Sequence, residues 1–516
     1  MSASSTIEPG SGFVCDCAEE MRSACNGEPF YKEHENKRYC VLHLPSKEKS
    51  TDFEKALQRK LNRKDFNFAG VWFPNEVMFH QFHFSADTNF SCASFSAEAD
   101  FSSVIFYEKA NFQSAIFYAN VEFDSSIFRS DAIFASAKFM AAASYRFTVF
   151  EGPVFFTYAR FGANADFAKS TFGETANAYF NCVTFRRAGF GSATFNGTAH
   201  FTSSTFKAPA HFRSTIFGAA AYFSDATFCA EADFEDATFK ALALFSSATF
   251  NALANFNLAT FVSRVDHSHA SFMDYARFAG REGWSPFGDQ ACLDFQFARM
   301  KNPEHVSFHT LPLRPHWFVN VDAHKFEFIN VFWGPPSIGA EIRSLENKKV
   351  SPRHSLLAIA FRHLAANAED SHRYEEASKF RYLAMDALRL EKERALWSLS
   401  WWYWLASGYG ERVWRAFLVL LAILLLSAVL YNHVGFARWE PRLASESDVT
   451  SVKRDDVGAP LKFSRALTYS AAVMAFQRPE PRPATIAAQT LVLLETILGP
   501  VQAALLALAI RRKFMR

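Results

Sequence analysis

Residues 231–261 read EADFEDATFKALALFSSATFNALANFNLATF, and their phenylalanines follow one another at alternating intervals of five and six residues. The pattern therefore repeats every eleven residues, with two phenylalanines in each repeat. A helix places apolar residues roughly every 3.6 positions and a strand places them at every second position, so neither produces this spacing. A fixed period repeated many times indicates a solenoid, in which each unit covers the next.

The ladder of phenylalanines runs from Phe68 to Phe278, and a small residue precedes most of its members by two positions. One coil of ~22 residues cannot stand alone, because ordering costs ~1.5 kcal/mol per residue and each buried phenylalanine returns at most ~3 kcal/mol. We therefore expect about nine and a half stacked coils, with two continuous inward stacks of phenylalanine and with Asp100, Asn111 and Asp233 facing outward. The expected core includes Phe101, Phe106, Phe112, Phe117, Phe201, Phe206, Phe212, Phe217, Phe234 and Phe239.

Three short segments carry a resemblance to a known family. Ala110-Asn111-Phe112, Ala165-Asp166-Phe167 and the residues 232–239 resemble pentapeptide repeats that have Phe at the large central position. The resemblance covers about two fifths of the chain and implies a right-handed, four-sided β-helix. The extra residue in every second unit departs from the family and predicts ~22 residues per coil rather than ~20. The wider interval from Phe172 to Phe180, across Gly173, predicts a bulge or a small external loop.

Charge and composition limit the classes of partner. The net charge of the 516-residue chain is +2, which gives no reason to expect a nucleic-acid partner. Some pentapeptide-repeat proteins mimic DNA with a strongly acidic surface, and this solenoid lacks that charge. Eight cysteines without a signal peptide favour a reducing compartment over a disulfide framework.

The segment before the solenoid contains five potential metal ligands. We expect a disordered tail over 1–12 and a small cap module over 13–66 that contains Cys15, Cys17, Cys25, Cys40 and His43. Clustered cysteine and histidine in a protein that is not exported favour a metal over disulfides. Cys25, Cys40 and His43 with either Cys15 or Cys17 could hold one structural zinc ion. The alternative is a set of reduced thiols without a metal in an irregular cap.

The character of the sequence changes after the solenoid of 67–280. Irregular end coils are expected over 281–336, a helical hairpin over 350–398, and an aromatic interfacial segment over 399–412. Apolar runs at 413–434 and 485–510 are long enough to span a bilayer, and a polar loop at 435–484 with a short helix at 465–476 connects them. The basic tail 511–516, with Arg412 and Arg415, predicts that both termini lie in the cytoplasm and that the protein resides in the inner or plasma membrane. The predicted fold class is mainly β: a right-handed quadrilateral β-helix, then an α-helical hairpin and two transmembrane helices.

The membrane part carries a second resemblance. Residues 467–476 and 493–514 are similar to the pore helix and the inner helix of two-transmembrane channels of the potassium-channel type. The residues 477–480, QRPE, stand where that family has its glycine-rich filter, so potassium selectivity is not implied. Glu495, Gly499, Ala503 and Ala507 recur every four residues and predict one packing face. Glu495 either makes an interhelical hydrogen bond or lines a path for ions.

No nucleophile–base pair, phosphate loop or paired carboxylates stand out, so we do not expect an enzyme. The first expectation is an oligomeric, channel-like membrane protein whose cytosolic solenoid senses or binds a ligand. The alternative is a membrane-anchored scaffold that presents the solenoid wall to a protein partner without transport. Both expectations have membrane lipid as a partner, and in the first the chain also binds further copies of itself.

Overall fold

The computed structural model describes residues 13–281, 287, 291–334, 337–347, 349–391, 398–437 and 460–514. The chain forms two compact units, Met1–Ser337 and Ile338–Arg516. The predicted tail over 1–12 and the residues 438–459 of the predicted polar loop lie outside the described residues.

The first unit is dominated by a β-solenoid of about twelve turns, which confirms the predicted fold class. Each turn carries four short strands, and each strand pairs in parallel with its equivalent about 22 residues later, as Ala110 pairs with Ala132. The backbone hydrogen bonds therefore run along the solenoid from coil to coil, so that only the end coils leave groups unpaired.

We number the four walls of the solenoid as faces 1 to 4 in chain order. The strands of face 1 are Thr88–Asn89, Ala110–Asn111, Ala132–Ile133, Val154–Phe155, Ala178–Tyr179, Ala199–His200, Ala221–Tyr222, Ala243–Leu244, Arg264–Asp266 and Cys292–Asp294. Those of face 2 are Trp72–Phe73, Ser94–Phe95, Ile116–Phe117, Lys138–Phe139, Thr205–Phe206, Thr227–Phe228, Thr249–Phe250, Ser271–Phe272 and Arg299–Met300. Two longer strands, Arg160–Asp166 and Thr184–Gly189, turn the corner from face 2 to face 3.

The remaining strands complete the coil. Face 3 consists of Val77–Met78, Ala99–Asp100, Val121–Glu122, Ala143–Ser144, Ala210–His211, Ala232–Asp233, Ala254–Asn255, Ala276–Ala279, Val306–His309 and Glu327–Ile329. Face 4 consists of His83–Phe84, Ile105–Phe106, Ile127–Phe128, Val149–Phe150, Thr171–Phe172, Thr194–Phe195, Ile216–Phe217, Thr238–Phe239 and Thr260–Phe261. Pro312–Leu313 and Phe332–Trp333 pair separately near the end of the solenoid.

The phenylalanines fill the interior in four continuous stacks, one for each face, and not in the two stacks that the spacing suggested. Phe112 stacks on Phe134 at 4.9 Å within face 1, and Phe117 stacks on Phe139 at 5.0 Å within face 2. Rings of opposite faces meet edge to face at the centre, as Phe112 and Phe123 do at 5.4 Å. A coil of 22 residues contains four phenylalanines, and each interval of five or six residues advances the chain by one face. The ten phenylalanines expected in the core are all at most 1% exposed.

In most coils, two corners contain a residue with positive φ that is not glycine. Ser114, Ser125, Ser203 and Asp236 have φ values of 58°, 59°, 57° and 59°. In each case the next residue donates its backbone N–H to the phenylalanine carbonyl at the start of the turn, as Ala115 donates to Phe112 at 3.1 Å. Serine is the most common residue at these corners, although larger residues such as Leu258 adopt the same conformation.

The expected irregularity lies after Phe172, where residues 173–177 form a small turn. The stacks continue across it, because Phe156 still stacks on Phe180 at 4.9 Å. The loop therefore absorbs the extra residues outside the core.

A small module precedes the first coil. It contains a 3-10 helix Glu19–Cys25, an antiparallel hairpin of Phe30–His34 and Lys37–Cys40, a second 3-10 helix Lys47–Lys49, and helix α1, Ser50–Asn62. Phe53 of α1 contacts Phe73 of the first coil edge to face at 5.4 Å. The module thus covers the first turn and shields its rings from solvent.

The second unit is helical. It contains α2 Ile338–Asn347, α3 Arg353–Asp370, α4 Tyr374–Glu391, α5 Leu399–Ser407, α6 Val413–Tyr431, α7 Phe463–Met474 and α8 Ile486–Phe514. Helix α2 was not predicted, and α3 and α4 form the expected hairpin. Gly408 ends α5 with a φ of 56°, a conformation that glycine adopts without strain. Helices α6 and α8 are long and apolar enough to cross a membrane.

Candidate functional site

The cap module brings cysteine and histidine side chains together in its interior. Cys15 and Cys17 lie in the segment before the first 3-10 helix, Cys25 ends that helix, and His43 lies in the turn after the hairpin. The ligand atoms of these four residues all lie within 4.8 Å of one another. This buried cluster could bind a metal ion.

The distances within the cluster fit a tetrahedral ion. The Sγ atoms of Cys17 and Cys25 are 3.9 Å apart, and Cys25 Sγ lies 3.4 Å from Nδ1 of His43. Four ligands at ~2.0–2.3 Å from a central zinc ion stand ~3.3–3.8 Å from one another, so little movement would be needed to close the site.

The imidazole of His43 is held in the orientation that a metal ligand needs. Its Nε2 lies 2.9 Å from the carbonyl oxygen of Ala69 in the first coil. A hydrogen bond from Nε2–H to this carbonyl leaves the lone pair of Nδ1 directed at the thiols, an arrangement common behind metal-bound histidines. The ring is also buried, so water has little access to it.

The clustered residues differ from the predicted set of ligands at Cys40 and Cys17. We expected Cys40 among the ligands and only one of Cys15 and Cys17, because a single intervening residue strains a shared tetrahedral site. The structure places both Cys15 and Cys17 in the cluster, since the chain before the 3-10 helix is irregular and adapts to them. Cys40 Sγ lies 3.2 Å from His43 Nδ1, and the backbone N–H of Cys40 donates to Cys15 Sγ at 3.4 Å. Hydrogen bonds from the Cys25 and Cys40 side chains lower the pKa of Cys15 and favour its thiolate.

A buried lysine near the cluster was missed by the sequence analysis. Lys49 is fully buried, its Nζ donates to the carbonyl oxygen of Leu42 at 2.7 Å, and burial lowers its pKa to about 6. No periodic pattern marks this residue in the sequence, so only the fold could reveal it.

Glu495 lies where α6, α7 and α8 meet. Tyr431 at the end of α6 donates its hydroxyl to one carboxylate oxygen at 2.5 Å, and Ser470 of α7 donates to the other. The Glu495 side chain is buried within one chain, and so are both donors. The carboxylate therefore joins α6, α7 and α8, and the sequence did not predict either partner.

Only part of the predicted small-residue face is buried within the single chain. Glu495 and Gly499 are buried, whereas Ala503 and Ala507 are exposed. A step of four residues advances ~40° beyond a full helical turn, so a strict four-residue series drifts off the packed face. The buried face continues instead through Gln502 and Ala509. The Gln502 amide donates to the carbonyl oxygens of Ala406 and Ala416 at 2.7 and 2.8 Å.

Gly499 has a packing role. A Cβ at this position would lie 2.8 Å from Cγ of Met474, at the end of α7. Helix α7 therefore approaches α8 closely at this point, and any larger residue would require the Met474 side chain or the helices to shift.

The outward positions of face 1 form an uncharged strip. Six successive coils present Ile133, Phe155, Tyr179, His200, Tyr222 and Leu244, all half-buried. The rings of Phe155 and Tyr179, of Tyr179 and His200, and of His200 and Tyr222 stack at 5.0, 4.9 and 4.7 Å. Partial burial lowers the pKa of His200, so this ring is neutral at pH 7. We call this row the face-1 strip.

No protein-family model, no curated protein and no solved structure matches this chain. The regularly spaced phenylalanines in a four-sided coil are consistent with pentapeptide repeats. Solenoid and apolar helices together fit a membrane-anchored repeat protein.

Proposed function

We propose that this protein is a membrane-anchored scaffold: α6 and α8 hold it in the bilayer, both termini lie in the cytoplasm, and the solenoid binds a protein partner through the face-1 strip. The observation that carries the proposal is the strip itself. Between Val154 and Leu244, all of it in the described part of the chain, no outward residue of the face-1 strands is charged.

The chemistry of the strip favours a protein surface as the partner. Charged residues are depleted and aromatic residues enriched at the centre of protein interfaces. A nucleic acid needs cations to neutralise its phosphates, and the strip has none. The rings are fixed by their neighbours above and below, so binding would cost little side-chain entropy.

The membrane part supports an anchor better than a pore. The two buried polar side chains of α8 are engaged inside one chain: Glu495 by Tyr431 and Ser470, and Gln502 by two backbone carbonyls. Among the described residues of α8, the outward positions Leu493, Leu494, Ile497, Leu498 and Val501 are apolar. Such a surface suits lipid.

The partner is tested by a photo-cross-linking residue placed at Tyr222 in cells, with Thr238 on face 4 as the matched position. We expect a discrete adduct from position 222 and none from 238. The captured protein should then bind the purified chain, and Tyr222→Lys should weaken that binding at least tenfold while Thr238→Lys leaves it unchanged. Equal binding by both variants would exclude the strip as the interface.

Membrane topology is tested separately. Alkaline extraction should leave the chain in the membrane fraction, and reporters placed before Ser11 and after Arg516 should both report cytoplasm. A reporter near Asp455 should lie on the other side. A tail that is cut by protease in intact cells would contradict the proposed orientation.

We also propose that the cap module holds one structural zinc ion through Cys15, Cys17, Cys25 and His43. The support is the 4.8 Å cluster and the orientation of His43 by Ala69. When bound, the ion would tie the irregular N-terminal segment to the hairpin. Protein purified without chelator should contain about one zinc per chain; Cys25→Ser should lose it and Cys182→Ser, an exposed thiol on the solenoid, should not.

A second candidate function is an oligomeric ion pathway. The observation that favours it is the position of α7, which packs against both α6 and α8 as a pore helix does in the channels that the sequence resembles. Reconstituted protein should then pass ions across liposomes, and Glu495→Ala should change that flux. Liposomes that stay impermeable at every protein density would leave the anchor as the function.

A further inference from the structure

The second unit contains a cleft where α6 begins and α8 ends. Its volume is about 950 Å³, and its walls come from the start of α4, the residues Glu411 and Arg412, the first turns of α6 and the end of α8. Because α6 and α8 are antiparallel neighbours, the cleft lies at the end of the helix pair that the proposed topology assigns to the cytoplasmic boundary.

The mouth of the cleft is basic. It is lined by Lys379, Arg412, Arg415, Arg512 and Lys513, against the two carboxylates of Glu375 and Glu411. Glu411 is already paired with two arginines, since its carboxylate lies 3.3 Å from Arg512 and 3.5 Å from Arg381. Its side chain is only 5% exposed. In the described part of the chain, no carboxylate lies within ion-pair distance of the other four cations.

Two of these cations are held in place by aromatic rings. The guanidinium of Arg412 lies 4.4 Å from the centre of the Tyr382 ring, and that of Arg415 lies 4.1 Å from the centre of the Trp404 ring. A guanidinium that stacks on a ring keeps its N–H edge free for a phosphate, with little loss of side-chain entropy on binding.

Away from the charged ends of α6 and α8, the lining of the cleft is apolar. Leu418, Val419 and Ala422 of α6 and Ala509 of α8 form it, and Trp414 lies exposed beside them. These residues belong to helices apolar enough to cross a membrane. The cleft therefore passes from a cationic mouth to a hydrocarbon-like wall, which is the polarity of a phospholipid.

We propose that this cleft binds one anionic phospholipid, with the phosphate at Arg412, Arg415 and Lys513 and an acyl chain along Leu418, Val419 and Ala422. A free phosphate would use the mouth and leave the apolar wall unfilled, whereas a lipid fills both. Basic pockets beside membrane helices on the cytoplasmic side are suited to such headgroups. This inference rests on the proposed membrane insertion.

The experiment uses the full-length protein in nanodiscs that contain equal parts of phosphatidylcholine and phosphatidylglycerol. The lipids that remain after gentle extraction are identified by native mass spectrometry. We expect one retained phosphatidylglycerol. The double variant R415Q/K513Q should weaken its retention roughly 30-fold, since each cation near a lipid phosphate contributes ~1 kcal/mol. R511Q removes a charge from the same tail outside the cleft and should have no effect.

Two further measurements distinguish a lipid from a free phosphate. They also distinguish failure of the lipid site from failure of the proposed membrane anchor. Ala422→Trp fills the apolar wall without a change of charge and should also weaken retention, and glycerol phosphate should not compete. Competition by glycerol phosphate, or equal retention by all variants that keep the wild-type melting temperature, would overturn the lipid site. If the chain instead leaves the membrane on alkaline extraction and retains no lipid of either kind, the proposed anchor itself fails.

Discussion

Single residues in the four stacks differ in how well they fit an apolar core. Tyr145 occupies a phenylalanine position of face 3, stacked between Phe123 at 4.9 Å and Phe167 at 4.7 Å. Its hydroxyl is buried, and no described residue offers it a hydrogen bond. An unpaired buried hydroxyl costs about 1–3 kcal/mol.

Tyr145→Phe should therefore stabilise the solenoid by about 1–3 kcal/mol. The measurement is thermal unfolding of the β-structure signal in detergent. Tyr222→Phe, on the half-buried outward position of face 1, is the control and should change stability very little. A lower melting temperature for Tyr145→Phe would mean that the hydroxyl has a partner that this structure does not contain.

His267 continues the face-1 stack between Phe245 and Phe295, at 5.0 Å from each ring. Neither ring nitrogen has a hydrogen-bond partner among the described residues, and burial lowers its pKa to about 3. The folded pKa lies below the unfolded value of about 6.5, so the neutral ring stabilises the fold above pH ~6.5 and this contribution is lost as the pH falls towards 3.

His267→Phe should remove this dependence. The variant should gain about 1.6 kcal/mol relative to the wild type between pH 6.5 and pH 5, with a slope that approaches about 1.4 kcal/mol per pH unit at the lower end. Carboxylates titrate in the same window, but they are common to both proteins and cancel in the difference. A stability difference that is constant from pH 8 to pH 5 would contradict the assignment.

At the scale of the element, the corner turns decide how each strand passes to the next face. Ser203 has a φ of 57°, and Ser204 donates its N–H to the Phe201 carbonyl at 3.1 Å. A left-handed backbone costs ~1–2 kcal/mol for an ordinary residue and almost nothing for glycine.

Ser203→Gly should leave the melting temperature unchanged or raise it, and Ser203→Val should destabilise the solenoid by about 1–2 kcal/mol. Ser203 is exposed, so no packing is lost in either variant. Thr202→Val, one position earlier and without positive φ, serves as the control for β-branching. Equal effects of valine at 202 and 203 would show that the conformation is not what matters.

Helices α6, α7 and α8 are joined through one carboxylate. Tyr431→Phe and Ser470→Ala should each lower stability by about 1 kcal/mol, because each removes one hydrogen bond to Glu495. The double variant should depart from the sum, since both hydroxyls share one acceptor. Thr490→Ala, whose hydroxyl bonds only within α8, provides the reference. Strict additivity would show that the two hydroxyls act independently.

At the scale of the whole molecule, the cap module and the solenoid depend on each other. His43 pairs with the Ala69 carbonyl, and the Trp72 backbone N–H donates to the Leu42 carbonyl at 3.1 Å. Repeats at the end of a solenoid are exposed on one side and need such a cover.

If the cap module holds zinc, as proposed, removal of the ion should therefore loosen the first coils and spare the middle of the solenoid. After chelation, or in Cys25→Ser, amide hydrogen exchange should accelerate in residues 66–95 and stay slow in residues 195–260. Cys229→Ser, an exposed thiol, should exchange like the wild type. Uniform acceleration along the solenoid would indicate one cooperative unit rather than a locally capped one.

The interval between phenylalanines determined the solenoid, the number of residues in a coil and the identity of its core, because hydrophobicity and period are properties of the sequence alone. Two apolar runs likewise predicted α6 and α8. The cluster of cysteines and His43 could be predicted as a group, since residue types and their proximity along the chain already indicate metal affinity.

Only the tertiary structure decided which side chains meet. The four stacks follow from how 22 residues close into a coil. The presence of both Cys15 and Cys17 in the cluster depends on an irregular segment, which has no periodic sequence pattern. The contacts of Glu495 with Tyr431 and Ser470 join residues 64 and 25 positions apart in the chain. The stack of half-buried rings on face 1 also required the coil, because its members are about 22 residues apart in sequence and 4.7–5.0 Å apart in space. Such contacts are set by the packing of distant segments, which local sequence patterns do not encode.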